Sequence, residues 1–320
     1  MTKHKEWTED EVVSLVTYVQ HGMGWLEISK RMNITPDSAR MAYRRYVGET
    51  GKSGKMKSPK YIEQNTPRIG LFDLETLPLE GFAWRMWDVN FGAEQVISGT
   101  GLLSWAGKFL NEPEMYSDIL TPKEAKVKDD KRITQSCWEF LNQCDVVCGH
   151  NLMDFDSRVA RTFFMKYDLP PIKYVQIDTL KIAKRNLRMD SNKMAFINKY
   201  LGIRQKIETE GFPLWRDCRA GDVEALGKMK EYNEGDVLAL EELYYKLRPY
   251  FPHVFNLALY SELDDEMCPV CGSTKLESNG YYYTPAGKYE SVRCSECKCV
   301  SRRKENLLPK YKRKKLLINS

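Results

Sequence analysis

Residues 68–76 read Arg-Ile-Gly-Leu-Phe-Asp-Leu-Glu-Thr, an apolar approach that ends on two carboxylates two positions apart. In a strand, side chains two apart face the same side. The spacing therefore predicts that Asp73 and Glu75 converge at one strand end. Two like charges held close are costly unless cations neutralise them. Phosphodiester hydrolysis uses such cations, because two ions about 3.5–4 Å apart stabilise both the attacking and the leaving oxygen.

Two further segments carry carboxylates in the same region. Gly149-His150-Asn151-Leu152-Met153-Asp154-Phe155-Asp156 follows the apolar pair Val146-Val147. Asp156 stands where an amphipathic helix containing Val159, Phe163 and Phe164 begins. Tyr232-Asn233-Glu234-Gly235-Asp236 lies inside a long helical pattern. Tyr232 and Asp236 are four apart and share one helix face, so a phenol stands one turn from a carboxylate. From about residue 69 to 252, short apolar runs alternate with helical patterns, which predicts an α/β fold. Asp154 reads as a solvated loop residue, and Asp178 and His150 as structural.

In this order and spacing the three segments resemble the DEDD family of ribonuclease H-like 3′–5′ exonucleases, which includes the proofreading domains of family-B DNA polymerases and stand-alone relatives. The resemblance spans about residues 69–250. FDLET matches the first motif, HNLMDFD the second and YNEGD the third, in the tyrosine variant. The position where the histidine variant would carry its histidine holds Glu231. The resemblance implies a mixed-sheet core and two Mg²⁺ or Mn²⁺ ions held by Asp73, Glu75, Asp156 and Asp236, with Asp73 bridging both. Glu75 and Tyr232 would orient the attacking water, and Asn151 and Asn233 would contact the substrate strand. The implied activity is removal of nucleoside monophosphates from DNA with a single-stranded 3′ end. Two alternatives stay open on the sequence. One is a ribonuclease or structure-specific nuclease of the same fold. The other is a nucleic-acid-binding regulator with a vestigial core, against which stands the presence of all four carboxylates and the tyrosine.

Working outward, five of the nine cysteines fall between 268 and 299. Cys268-Pro-Val-Cys271 and Cys294-Ser-Glu-Cys297 are two CxxC pairs with 22 residues between them. Four thiolates so spaced suit one tetrahedral, structural Zn²⁺. The β-prone stretch between the pairs resembles a zinc ribbon, and Cys299 is a spare thiol that leaves the fourth ligand ambiguous. Tyr281, Tyr282 and Tyr283 beside Lys288 and Arg293 would either stack on bases or pack the ribbon.

At the other end, residues 7–47 predict three short helices. Thr8 and Glu11 have capping-box spacing, and Thr35-Pro36 reads as a cap followed by proline at the first helical position. The Trp7, Trp25, Tyr43 spacing resembles helix-turn-helix modules of the Myb-like kind, which implies DNA contact through Arg40, Arg44 and Arg45. The expected organisation is a helix-turn-helix-like domain at 1–48, a basic linker at 49–68, the exonuclease domain at 69–252, a connector at 253–266, the ribbon at 267–300 and a basic tail at 301–320.

The net charge of +5 is unevenly spread. Residues 267–320 carry 12 Lys/Arg against 4 Asp/Glu, whereas 69–266 is left at −7. An acidic centre between basic ends suits cation binding in the middle and polyanion binding at the ends. Lys312, Arg313, Lys314 and Lys315 are the tail's densest cluster, and the leucines around them offer the alternative that the tail docks on the core. The first residues, MTKHKEWTEDE, contain no apolar core, and no run of about 18 apolar residues occurs. The reading is therefore a protein with no membrane partner, in a bacterial or phage-infected cytoplasm, whose macromolecular partners are DNA and a replication or recombination protein.

Overall fold

The computed structural model describes residues 8–20, 25–47, 67–88, 90–251, 256–261 and 265–318. The chain divides into two compact units, Met1–Gln64 and Asn65–Ser320. Trp7 and most of the expected linker lie outside the described residues, as do the side chains of Arg44 and Arg45.

The first unit holds the three expected helices, α1 (Glu9–Gln20), α2 (Trp25–Arg31) and α3 (Pro36–Val47). The capping box forms: Thr8 N donates to Glu11 Oε2 at 3.1 Å, and Glu11 N donates to Thr8 Oγ1 at 3.3 Å. Thr35 Oγ1 accepts from Ser38 N at 3.1 Å and starts α3. Leu15, Val19, Ile28, Ala39 and Ala42 make the core, and Trp25 meets Tyr43 edge-on at 5.7 Å. Arg40 points away from that core and is exposed.

The second unit is built on a five-stranded mixed sheet. Its central strand, β1 (Ile69–Leu77), leads into a small hairpin, β2 (Glu80–Gly81) with β3 (Val96–Ser98). Then follow β4 (Gly101–Phe109), β5 (Met115–Ile119), α4 (Pro122–Val127), α5 (Lys131–Leu141), β6 (Val146–Gly149), α6 (Asp156–Lys166) and β7 (Val175–Asp178). The strand order is β5-β4-β1-β6-β7. β1 runs antiparallel to β4 and parallel to β6. Helices α7 (Thr179–Asn186), α8 (Met194–Leu201), α9 (Phe212–Arg219) and α10 (Val223–Leu247) complete the core.

The period-two alternation of β1 sorts its side chains into two cores. Phe72 and Leu74 pack with Trp105, Phe109, Phe140 and Phe163 on one face. Ile69 and Leu71 pack with Val146, Ile177, Val237 and Leu240 on the other. Asp73 and Glu75 continue the second face, towards α10. Phe140 fills the first face so closely that Gly107 and Gly70 are needed beneath it. A Cβ on Gly107 would overlap the Phe140 ring, and one on Gly70 would overlap Cys144 Sγ.

The cysteine region folds as a three-stranded sheet, β8 (Leu276–Thr284), β9 (Gly287–Cys294) and β10 (Val300–Arg302), in the order β10-β9-β8. It is not an isolated appendage. Cys268, Val270, Cys294 and Cys297 share the second core with Leu243, Tyr244, Leu247 and Phe251 of the α10 end. The short last helix is α11 (Lys310–Arg313). Residues 303–308 fold back along β9, with Arg303 N donating to Glu290 O and Leu307 N to Lys288 O. Beyond them Leu317 is 95% exposed, so this stretch of the tail does not dock through its leucines. No described helix is long and apolar enough to cross a membrane.

The Gly107–Phe140 contact gives a stability test. Gly107→Ala should lower the thermal midpoint by the equivalent of about 1–3 kcal/mol, the usual cost of overpacking. Adding Phe140→Leu should restore part of that loss in the same scan. An unshifted midpoint for Gly107→Ala alone would mean the ring moves aside freely.

Candidate metal centres and active site

Four elements build the acidic site: β1, α6, α9 and α10. Carboxylate oxygens of Asp73, Glu75 and Asp236 all lie within 4.8 Å of one another. Asp156, the first residue of α6, sits just outside this trio. Its Oδ1 accepts from Leu74 N at 3.2 Å, which ties α6 to the centre of β1. Asp156 is still close enough to raise the pKa of Asp73 by charge repulsion. The structure thus brings three of the four expected ligands into one cluster and sets the fourth beside it.

Burial dominates the electrostatics. It pushes Asp73 well above the ordinary carboxylate range, helped by Asp156, Asp236 and Glu75. Burial likewise pushes Glu75 up to about 7 and Asp156 up to about 7. Tyr232 is pushed up to about 12, first by burial and then by Asp236, so it remains a neutral hydroxyl near neutrality. It can orient a water but cannot serve as a base there.

Lys206 is the functional residue that the motif reading missed. Its Nζ lies 2.5 Å from Asp236 Oδ2 and donates to Tyr232 OH at 3.3 Å. Despite burial, its pKa is raised by Asp236 and Asp73. Lys206 comes from an irregular loop between α8 and α9, where no periodicity marks a residue. The usable signal was Gly235. A Cβ there would overlap Ile207, so the glycine lets the Lys206-Ile207 loop lie on α10.

Asn233 takes a different place from the one expected of it. It is buried, its Nδ2 donates to Asp73 Oδ2 at 2.7 Å, and its Oδ1 accepts from Ser104 Oγ at 3.1 Å. Its amide is spent inside the protein and holds the central carboxylate, so it is a positioning residue and not a strand contact. Asn233 and Asp236 are three apart and share a helix face, which was the available clue. Asn151 has a left-handed backbone, φ 71°, and lines a cavity of about 550 Å³ together with Asp73, His150, Lys184, Lys193 and Lys206.

The residues read as structural are held as such. Asp178 accepts from Asn151 N, Met153 N and Leu180 N. His150 bridges Thr179 Oγ1 and Asn192 O, each at 2.9 Å. Asp154 is exposed, facing Lys181 and Arg158.

The donor set fits divalent cations. Four acidic side chains meet here around the half-buried Lys206 ammonium, and Asp236 Oδ1 is buried with no hydrogen-bond partner among the described residues. All-carboxylate oxygen donors suit Mg²⁺ or Mn²⁺.

The second cluster consists of Cys268, Cys271, Cys294 and Cys297, whose sulfurs also lie within 4.8 Å of one another. Cys268 Sγ and Cys297 Sγ are 3.5 Å apart, as are Cys271 Sγ and Cys294 Sγ. A tetrahedral ion with Zn–S near 2.3 Å would set such edges at about 3.8 Å. The two knuckles are the same turn. Cys268 N donates to Ser273 O and Gly272 N to Cys268 O; Cys294 N donates to Cys299 O and Lys298 N to Cys294 O. Gly272 and Lys298 take equivalent left-handed conformations, φ 73° and 64°. Cys299 points instead at Val300 O and Ser301 Oγ, which removes it from the ligand set.

Residues 103–248 match the family described as the RNase H superfamily. The match spans less than half of the chain; it contains Asp156, Tyr232 and Asp236 and begins beyond Asp73 and Glu75. Among solved structures, the chain is similar to the family B DNA polymerase from the hyperthermophilic archaeon Pyrobaculum calidifontis. That likeness has 15% sequence identity and a TM-score of 0.43, and it covers 63% of this chain and 26% of that one. The chain thus spans about a quarter of that polymerase's length. No curated protein matches the sequence.

The raised carboxylate pKa values fix the sign of a pH effect. Without divalent ions, the folded site holds protons that an unfolded chain, with carboxyl pKa values near 4, releases. The site's contribution to stability should therefore grow as pH falls from about 7 towards 4. Metal binding must displace those protons, so its contribution should have the opposite slope. In thermal scans, the rise in midpoint caused by Mg²⁺ should increase between about pH 6 and 8. Asp73→Asn should abolish that rise and, in chelator at pH 8, should unfold roughly 2–4 °C above wild type. A Mg²⁺ effect that is flat with pH would count against the assignment.

For the sulfur cluster, extensively dialysed protein should retain one zinc per chain, and Cys294→Ser should lose it. Because the ribbon shares a core with α10, metal loss should also lower the midpoint of the larger unit. Zinc-free protein with an unchanged midpoint would refute the metal role.

Proposed function

We propose that the chain is a metal-dependent 3′–5′ exonuclease acting on DNA with a single-stranded 3′ end. The carrying observation is the convergence of Asp73, Glu75 and Asp236 within 4.8 Å, with Asp156 beside them and Tyr232 one helical turn away. The match of residues 103–248 to the RNase H superfamily supports a nuclease. In this reading two Mg²⁺ or Mn²⁺ ions held by Asp73, Glu75, Asp156 and Asp236 would stabilise charge on the attacking and leaving oxygens. The Tyr232 hydroxyl and Glu75 hold the attacking water in line with the terminal phosphate. The water oxygen forms the new P–O bond while the P–O3′ bond breaks. The shortened strand takes a proton at its O3′, and a nucleoside 5′-monophosphate leaves.

The zinc-bound ribbon and the basic ends supply affinity. Lys312, Arg313, Lys314 and Lys315 are exposed. On the ribbon, Lys288 lies 3.6 Å from the Tyr281 ring centre and Arg302 lies 4.1 Å from that of Tyr289. Such a cationic, aromatic face suits a single strand. Arg40, Arg44 and Arg45 would add contacts from the N-terminal helices, and a replication or recombination protein would present the DNA end. The compartment is the cytoplasm of a bacterium or a phage-infected cell.

Incubation of 3′- and 5′-labelled single-stranded DNA, duplex DNA and RNA with Mg²⁺ or Mn²⁺ tests the reading. Wild type should release monophosphates from the 3′ end of single-stranded DNA. Asp236→Ala should lose at least about 10³-fold in rate, whereas Tyr232→Phe, which removes an orienting hydroxyl and no ion ligand, should lose less. Preferential cleavage of RNA, or internal cuts, would move the protein to a related activity of the same site. Undiminished hydrolysis by Asp236→Ala would remove the site altogether.

A further inference from the structure

The hairpin that follows β1 leaves large apolar side chains bare. Trp84 is 99% exposed, Met86 88%, Trp87 78% and Phe82 74%, and no described residue covers the Trp84 ring. Scattered surface apolar residues are ordinary, but four within six positions mark an interaction surface.

The base of this hairpin is tightly fixed. Phe82 N donates to Gln95 O at 2.9 Å, and Gln95 Nε2 donates to Phe82 O at 3.1 Å. Lys128 Nζ donates to Pro78 O and Gly99 O, one on each strand approach, at 3.0 and 2.9 Å. Arg219 Nε donates to Glu80 Oε1 at 2.5 Å. Arg219 also donates to Ala125 O and Lys126 O, so the base is joined to α4 and α9 at once.

Helix α9 connects this base to the acidic site. Trp215 lies close enough to Glu75 to lower its pKa and meets the Tyr232 ring edge-on at 6.0 Å. Trp215 and Arg219 are four apart and so share one face of α9, about 6 Å from each other. The same helix face thus meets Tyr232 of the acidic site at one position and the hairpin base one turn later. Only Thr76 to Leu79 separate Glu75 from Glu80 along the chain.

We propose that the Phe82–Trp87 tip is a base-stacking clamp, in which Trp84 and Trp87 grip a single strand whose 3′ end lies at the Asp73–Glu75–Asp236 cluster. The proposal rests on the nuclease reading for the identity of the strand's destination. A single strand is the partner of choice for three reasons. The hairpin base below the tip is tied through Arg219 to α9, the helix whose Trp215 meets Tyr232 beside the acidic site. Trp84 and Trp87 are both exposed and offer flat π-faces. Arg85, exposed and between them in sequence, supplies a charge for the backbone. Every base offers a π-face, so such a clamp accepts any sequence. Its fixed base keeps the gripped nucleotides at a constant distance from the cut.

The test uses the full chain and a Trp84→Ala/Trp87→Ala variant, both with a short oligothymidylate. Stacking quenches tryptophan emission, so binding in Ca²⁺ is read whether or not the strand is cut. Wild type should show quenching, and the variant should lose most of it and bind roughly 10-fold or more weakly. In Mg²⁺ the variant's kcat/KM on the oligonucleotide should fall at least roughly 10-fold further than on thymidine 5′-p-nitrophenyl phosphate, which is too small to reach the tip. Equal quenching and affinity in the two proteins would overturn the clamp and leave the nuclease reading standing. Wild type that binds and quenches but cleaves neither substrate would remove the nuclease reading and keep the tip as a strand-binding surface. Self-association of wild type that the variant abolishes, with strand affinity unchanged, would assign the tip to a second copy of this chain and overturn the proposal.

Discussion

Asp73, Glu75, Asp156 and Asp236 repel one another in a pocket that burial makes poor in water, and the surrounding structure is arranged around that repulsion. Three of the carboxylates have a fixed donor or cation: Asn233 holds Asp73, the Leu74 amide holds Asp156 and Lys206 faces Asp236, while Trp215 lies near enough to Glu75 to lower its pKa. The site then depends on the rotation of α10 about its own axis. Successive helix residues are about 100° apart, so a one-residue slip would carry Asp236 and Tyr232 off the sheet. Three polar contacts set that rotation against β4 and β5: Ser104 to Asn233, Ser117 to Glu234, and Lys108 to Glu241 at 2.5 Å. The buried lysine among them is costly without its partner, which makes the contact selective for one register as well as attractive.

The sulfur cluster meets a similar demand by a different route. Its two knuckles share one backbone turn, and that turn needs a left-handed residue after the second cysteine. Glycine adopts this at Gly272 without steric cost, whereas Lys298 must be held there by the sheet and the site around it. Because the cysteines pack on Leu243, Tyr244 and Leu247, the knuckles brace the C-terminal half of the same helix whose middle carries Asp236. The two clusters are therefore mechanically joined through α10.

How much of this was legible follows from where periodicity operates. The alternation of residues 69–77 and the four-residue spacing of Tyr232 and Asp236 are properties of regular elements, and both read correctly. The cysteine spacing also carried its answer, including four of five thiols; only geometry could set Cys299 aside. Lys206 and the Phe82–Trp87 tip belong to irregular backbone, where sequence distance says nothing about spatial neighbours. The tip is not marked by composition either: Phe-Ala-Trp-Arg-Met-Trp is apolar, and yet Phe82, Trp84, Met86 and Trp87 are all exposed. Asn233 was expected to contact the substrate strand. Its three-residue spacing from Asp236 already placed it on the inward face.

Lys206 also bears on the charge balance of a working site. Four ionised carboxylates carry −4, and the Lys206 ammonium beside them leaves −3; burial, reinforced by that repulsion, raises the carboxylate pKa values, so the pocket without further cations takes up protons. Two divalent ions, if held as proposed, would bring +4 and cancel the carboxylates. The ammonium would then be in surplus by one charge, equal and opposite to the single charge of an entering phosphodiester. A site with the same carboxylates and a neutral residue in place of Lys206 would be neutral before the substrate arrived and negative afterwards. Burying that excess charge is unfavourable where water is scarce. The lysine therefore makes electrostatic sense both in the metal-free protein, where it tempers the repulsion at Asp236, and in a loaded one, where it would leave room for the phosphate.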